Sequence, residues 1–455
     1  MVVIIDVIQK ILSRLYSGLG VARKVRPTTG LMVSLLVILI PTFAWTYGYD
    51  FSGMSTMEVI GTVLKRGAAF AGMAMFAWSL ILSGRYKILD TWFRGLDQTY
   101  IAHRFFGTTI MALLLLHPLG YTILYMAEQG TSGLVQHFIG FDSLAVTLGR
   151  VSLYGLLLVG VWSIVAKIKH ETFIAVHRWL GVLFIIGATH AFMSGRESVL
   201  ANDPFMWWYM LILSVIATLT FLHYSILGDF LHPYYRYKVR SVNILPGDVI
   251  DIELTPKYRM ANFKPGQFFY VSFDSMGPED YHPYSVASSN ENTHMRFLVK
   301  QLGDYTTKLK DLKPGAVARL KGPYGGFTFD DRKHDKQLWI TGGIGVTPFL
   351  SKAHSLRFSK LSPMVKMFHF AKEKDEAIDK EVLDIIQKDH RAFDYKCLPE
   401  NKFGIISLKD IVKQIGPLDD YAIYMCGPPG MLKAYDEQAR ELGLNNQLYY
   451  EEFTF

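Results

Sequence analysis

Cysteine is nearly absent from this chain of 455 residues, which contains only Cys397 and Cys426. Two thiols exclude a disulfide framework and any cysteine-rich metal cluster. Charge is also scarce, at 19% of residues against 50% hydrophobic, which is oily for a soluble protein. The second half has no stripe of Lys and Arg interleaved with aromatics, so the net charge of +7 is not the footprint of a nucleic-acid binder. In a membrane protein the same cations gather on the cytoplasmic side. The apolar run LMVSLLVILI after Arg23, Lys24 and Arg26 is not followed by a small-residue cleavage site, so it reads as a first span and not a signal peptide.

The apolar runs lie almost entirely within residues 1–228, whereas 229–455 carry charge, Gly and Pro throughout. A membrane half therefore precedes a water-soluble half. Residues 1–28 read as an amphipathic surface helix with a basic linker, since Val3, Ile4, Ile8, Ile11, Leu12 and Leu15 share one helical face. Six segments are suited to crossing a bilayer, roughly 29–48, 64–83, 104–126, 145–167, 172–193 and 206–228. A cytoplasmic amino terminus places twelve cations inside and only Lys65, Arg66 and Arg196 outside. An even number of spans then leaves the soluble half in the cytoplasm.

The third and fifth spans run in the same direction, and each has two histidines: His103 and His117, then His177 and His190. At helical rise the members of each pair are about 20 Å apart, so the pairs match in depth. One histidine near a helix end can be an interfacial hydrogen-bonder. Four at matched depths on parallel helices instead fit axial ligation of two haems b, His103 with His177 and His117 with His190. One difficulty follows, because fourteen residues return a helix to nearly the same face but thirteen leave it about 140° away. The fifth span must therefore differ in twist, in curvature or in how it approaches the haem. Arg104, Arg178 and Arg196 are candidate partners for haem propionates, and Arg196 also for the acceptor.

In the soluble half, VIDIELTP, GQFFYVSFD, MRFLVKQL and AVARLKGPYGGF are short strand-like runs separated by turn residues. They predict an antiparallel barrel over 233–330. Two polar stretches interrupt it, HPYS (His282, Pro283, Tyr284, Ser285) and VKQLGDYTTKL with Lys300, Gly303 and Thr306. From 334 to 455 strands alternate with helices, predicting a parallel nucleotide-binding sheet. Its first strand runs into Gly342, Gly343 and Gly345, and Thr347 and Pro348 open a helix, an arrangement that suits a pyrophosphate. The loop Cys426, Gly427, Pro428 ends another strand at the same carboxyl edge.

HPYS, GPYGG, TGGIGVTPF, CGPPGM and the aromatic carboxyl terminus together resemble ferredoxin-NADP reductase flavoproteins. With the histidine pairs ahead of them, residues 60–455 resemble the ferric reductase and NADPH oxidase superfamily. The resemblance implies FAD held by His282–Ser285, with Lys300, Gly303 and Thr306 near its pyrophosphate and adenine side. It implies a nicotinamide dinucleotide on Gly342–Thr347, with Cys426, Gly427 and Pro428 beside the nicotinamide. Phe455 would lie against the flavin, with Glu451 nearby. The soluble branch usually begins the first motif with Arg, and His282 is similar to the oxidase branch. The expected catalytic residues are Phe455, Cys426 and Arg196.

The expected fold is an α-helical transmembrane bundle over 29–230, an antiparallel β-barrel FAD domain and an α/β parallel-sheet NAD(P)-binding domain. The expected chemistry carries electrons from cytosolic NAD(P)H through FAD and two haems across the plasma membrane. Oxygen is the expected acceptor, because the outer loops lack a carboxylate cluster suited to hard cations. Ferric iron or a ferric chelate is the first alternative, and a protein electron acceptor the second. A channel with titrating histidines would leave the soluble half unexplained. Lys372 and Lys374 favour NADPH over NADH, against Glu373 and Asp375.

Overall fold

The computed structural model describes residues 29–93, 95–130, 138–140, 143–165, 170–194, 203–228, 234–277, 280–329, 335–357, 363–444 and 447–451. The expected surface helix at 1–28, Arg196 and Phe455 lie outside these residues. Two compact units divide the chain, 1–231 and 232–455.

Among the described residues the first unit has six helices long and apolar enough to cross a membrane: Thr29–Gly48, Thr56–Leu82, Gln98–Glu128, Leu144–Ser163, Thr172–Met193 and Pro204–Ile226. The second and third extend further than their apolar cores suggested. Ser55 and Glu58 form a reciprocal capping box that starts the second helix ahead of its apolar run, so Lys65 and Arg66 lie within a span and not in a loop. The third is a continuous helix, Leu96–Gln129, with Pro118 inside it. Small residues bring the helices together: a Cβ on Gly160 would meet Met111 at 2.5 Å, and one on Gly155 would meet Leu183 at 2.5 Å. Hydroxyls add cross-links, with Ser152 donating to Leu183 O at 2.9 Å and Tyr209 to Val37 O at 2.8 Å. Leu36, Phe43, Leu158 and Trp208 stay exposed, as lipid-facing side chains do.

The second unit holds two sheets. The first comprises β1 (Tyr235–Leu245), β2 (Val249–Pro256), β3 (Phe268–Phe273), β4 (His282–Ser285), β5 (Met295–Lys300) and β6 (Val317–Tyr324). It is antiparallel in the order β4-β3-β6-β1-β2-β5. A bridge between Val286, just past β4, and Phe297 in β5 brings its two edges together, giving a barrel with one weak seam. HPYS, read as an interruption of the barrel, is a strand, β4 itself, and the basic residues Arg236, Lys238 and Arg240 lie in β1. β1 keeps the period of two beneath its polar composition, since Tyr237 and Val239 point inward between exposed Arg236, Lys238 and Arg240.

The second sheet has five parallel strands, β7 (Lys336–Gly342), β8 (Met364–Ala371), β9 (Phe393–Pro399), β10 (Tyr421–Cys426) and β11 (Leu448–Glu451), ordered β11-β10-β7-β8-β9. Helices Thr347–Leu356, Lys380–Asp389 and Pro429–Glu441 connect and cover it. The order reverses between β7 and β10, whose carboxyl ends form the crevice where open α/β sheets bind ligands. Arg296 of β5 joins the barrel to this sheet. It meets Asp251 of β2 through two contacts at 2.8 and 3.1 Å and forks onto Asp379 at the start of helix Lys380–Asp389.

Candidate functional site

Each of the four span histidines has its Nδ1 turned to an oxygen. His103 Nδ1 lies 2.8 Å from Ser79 O, His117 Nδ1 2.5 Å from Lys65 O, and His190 Nδ1 2.7 Å from Ala145 O. A carbonyl only accepts, so these three histidines carry their proton on Nδ1. His177 Nδ1 lies 3.4 Å from Ser163 Oγ, whose own proton goes to Val159 O at 2.7 Å. That hydroxyl therefore also accepts. All four leave Nε2 as a bare lone pair, the form in which imidazole binds a metal.

The spacing fits as well. Two metal–nitrogen bonds of about 2 Å plus a ring radius of about 1.1 Å on each side place the centroids of two axial imidazoles about 6 Å apart. The His103 and His177 centroids are 6.1 Å apart. His190 lies within electrostatic range of His117.

The fifth span resolves its own register difficulty. Its helix breaks directly after His177 into His170–His177 and Trp179–Met193, and Gly181 N bonds back to Arg178 O at 3.1 Å, a three-residue turn. Three residues at 120° instead of 100° lower the mismatch from about 140° to about 80°, and the histidines no longer share one helix.

The second span also departs from α geometry, at the π-helical turn Val63–Gly67 that presents the Lys65 carbonyl. Gly120 lets the third span approach this turn, since a Cβ there would lie 2.2 Å from Lys65 N. One turn beyond His117, Tyr121 has its ring 5.4 Å from that histidine and carries the Lys65 ammonium 3.9 Å over its face. Sequence reading did not single out Ser79, Ser163, Ala145, Lys65 or Tyr121 as parts of this site, because each arrives from another helix or through a backbone atom. Arg104 and Arg178 are exposed.

In the barrel, Tyr284 and Ser285 of β4 are both buried. Tyr284 Oη and Ser285 Oγ are buried, and neither has a hydrogen-bond partner among the described residues. Such orphans call for a ligand. Burial, with Tyr305 and Asp280 nearby, pushes the Tyr284 phenol well above its ordinary range, so it stays a donor. His282 packs its ring 3.8 Å from that of Tyr305 and lies 2.8 Å from Asp280 Oδ1. Thr306 is occupied locally, accepting from Leu302 N and Gly303 N at 2.9 and 3.1 Å. It shapes the turn after Lys300.

In the parallel sheet, Gly343 has φ +53° with open space where a Cβ would be, and Gly345 rests on the next loop, its Cβ position 2.4 Å from Cys426 O. Thr347 closes the turn by donating to Ile344 O at 2.8 Å, and Pro348 occupies the first helical turn. Gly342, Gly427 and Pro428 converge beside Met431. Lys372 is exposed just past β8. Strand register aligns Glu451, Cys426, Thr341, His369 and Cys397 across five strands. The first three adjoin the glycine loops.

The fold and these sites define a class: a helical membrane unit with paired histidines, followed by a flavin- and nicotinamide-type oxidoreductase unit. Comparison with known proteins agrees. Residues 68–188 match the ferric reductase like transmembrane component, 234–345 the FAD-binding domain and 339–437 the oxidoreductase NAD-binding domain. These three matches are the domain combination implied by the resemblance to the ferric reductase and NADPH oxidase superfamily. Respiratory burst oxidase homolog protein F of Arabidopsis thaliana is 30% identical over 156 residues, covering 29% of this chain and 16% of that protein. Ferric reduction oxidase 5 of the same plant is 27% identical over 206 residues, covering 44% and 27%. A ferredoxin reductase in carbazole 1,9a-dioxygenase is 25% identical, covering 49% of this chain and 70% of that one, with a TM-score of 0.41. The chain thus spans well under a third of the length of the two plant proteins.

Proposed function

We propose that this protein transfers electrons from NAD(P)H, bound on the cytoplasmic side of the plasma membrane, to oxygen on the far side, releasing superoxide. The observation that carries the reading is the set of four histidines with Nδ1 anchored and Nε2 free, two of them at the ring spacing of a haem-ligand pair. When bound, FAD turns the two-electron hydride of NAD(P)H into single electrons, and haem carries those one at a time.

The residues divide the work. Gly342, Gly343 and Gly345 admit the dinucleotide backbone, and Cys426, Gly427 and Pro428 border the nicotinamide. Tyr284 and Ser285 would offer polar atoms to the flavin, with His282 and Pro283 beside them, and Lys300, Gly303 and Thr306 would shape the turn that takes its pyrophosphate. His103 and His177 would hold the inner haem, and His117 and His190 the outer one. As the resemblance implies, Phe455 would cover the flavin, and Arg196 would attract the acceptor. Lys372 favours NADPH over NADH, and faster hydride transfer from NADH would overturn that preference.

Oxygen is favoured over a ferric chelate by the packing beside His117. The second and third spans touch backbone to backbone at Gly120, and Lys65 over Tyr121 sits just beyond. Tight helix packing with a fixed cation beside it suits a small acceptor whose reduced form is an anion. The chain also resembles a ferric reduction oxidase, so the decisive comparison is superoxide formation by the purified protein against anaerobic ferric-chelate reduction. Faster chelate reduction would replace oxygen as acceptor.

A further inference from the structure

Three of the four Nδ1 protons go to main-chain carbonyls, at Ser79, Lys65 and Ala145. The fourth, on His177, goes to a side chain, the Ser163 hydroxyl at 3.4 Å. We infer that Ser163 is a positioning residue for the redox centre of His103 and His177, fixing the proton on His177 Nδ1 and thereby setting how strongly that histidine donates to iron. This rests on the haem-ligand reading above and goes beyond it, since it assigns the tuning of one centre to one replaceable hydroxyl.

The chemistry is local. Ser163 Oγ spends its proton on Val159 O at 2.7 Å, so only its lone pairs face His177. An acceptor at Nδ1 makes imidazole more basic toward a metal at Nε2, which favours the ferric state and lowers the reduction potential. His177 depends on this contact more than the others do on theirs. It ends a helix of eight residues, the chain turns at Arg178, and its other ring contacts are a stack on Phe173 at 5.0 Å and the facing His103. His103, by contrast, has both the Ser79 carbonyl and the Ser79 hydroxyl, the latter at 3.0 Å.

The test is a spectroelectrochemical titration of the full-length purified protein, with low-spin EPR of each centre, in Ser163→Ala, Ser163→Val and Ser163→Thr. Threonine keeps the hydroxyl, and valine is its isostere without one. The expected result is an upward shift of one midpoint potential and a change in one set of g values in Ala and Val, with Thr as wild type and the second centre unmoved. Unchanged potentials in Ala and Val, equal shifts in both centres, or Val and Thr behaving alike would overturn the assignment. Should Ala fail to assemble, the Val and Thr pair decides alone: Thr as wild type with Val shifted, or lacking that haem, supports the assignment. A wild-type protein with two centres but no Ser163 effect sinks this inference alone, whereas a wild-type protein without haem sinks the proposed function with it.

Discussion

Substituting Gly120 by alanine perturbs one defined contact. The added Cβ would lie 2.2 Å from Lys65 N and 2.6 Å from Gly61 O, whereas ordinary contact starts at 3.4 Å. Both obstacles are backbone, so no side chain can swing aside, and the spans must separate by about 1.2 Å, the difference between those distances. The same movement draws Lys65 O from His117 Nδ1. A bond of 2.5 Å lengthens to about 3.7 Å if the shift lies along it, which is no longer a hydrogen bond. Overpacking of this kind costs about 1–3 kcal/mol, and the freed imidazole loses its fixed tautomer. Haem per protein, read from the reduced-minus-oxidised spectrum, should fall toward half, with the loss confined to the centre of His117. Gly107→Ala on the same helix is the control, because nothing lies within 4 Å of its Cβ position. Full haem content and unchanged EPR in Gly120→Ala would refute the reasoning.

Gly345→Ala should raise the KM for NAD(P)H about tenfold or more, equivalent to about 1.4 kcal/mol, because its Cβ would strike Cys426 O at 2.4 Å; chemical reduction of the flavin should be unaffected, and an unchanged KM would count against the glycine cradle. Arg296→Met should destabilise the soluble unit by about 3–5 kcal/mol by stranding the carboxylates of Asp251 and Asp379. Arg357→Met, which opens only the exposed pair with Asp389, should cost under about 1 kcal/mol, and similar flavin-release temperatures for the two variants would contradict this. The His369 imidazole is buried and held down to about 4, so between about pH 6.5 and 4 the unfolded chain binds a proton that the folded one refuses. Stability should therefore fall with pH across that window, by up to about 3 kcal/mol. Unfolding of His369→Leu should lack this component, and an identical pH slope in wild type and variant would refute it.

Much of this organisation is legible in the sequence because it repeats at short range. The spans follow from apolar length, the histidine pairs from matched depth, and the glycine loops from their place at strand ends. Long-range contacts were not legible. Ser79 lies 24 residues from His103 and Lys65 52 residues from His117, and no local pattern predicts which carbonyl meets which imidazole. The fifth span shows the boundary clearly: its thirteen-residue spacing called for a change of twist, curvature or haem approach, and which of these it takes, the break after His177, is set by packing. Composition also misled at β4, whose polar HPYS motif read as an interruption of the barrel until paired with β3.

The central claim is that His103, His117, His177 and His190 hold two redox centres. It is tested most directly by the optical spectrum of the purified full-length protein beside that of His117→Ala. The account predicts low-spin, bis-histidine haem absorption in the wild type that falls by about half in the variant while flavin content is kept. A wild-type spectrum with flavin but no haem band would contradict it.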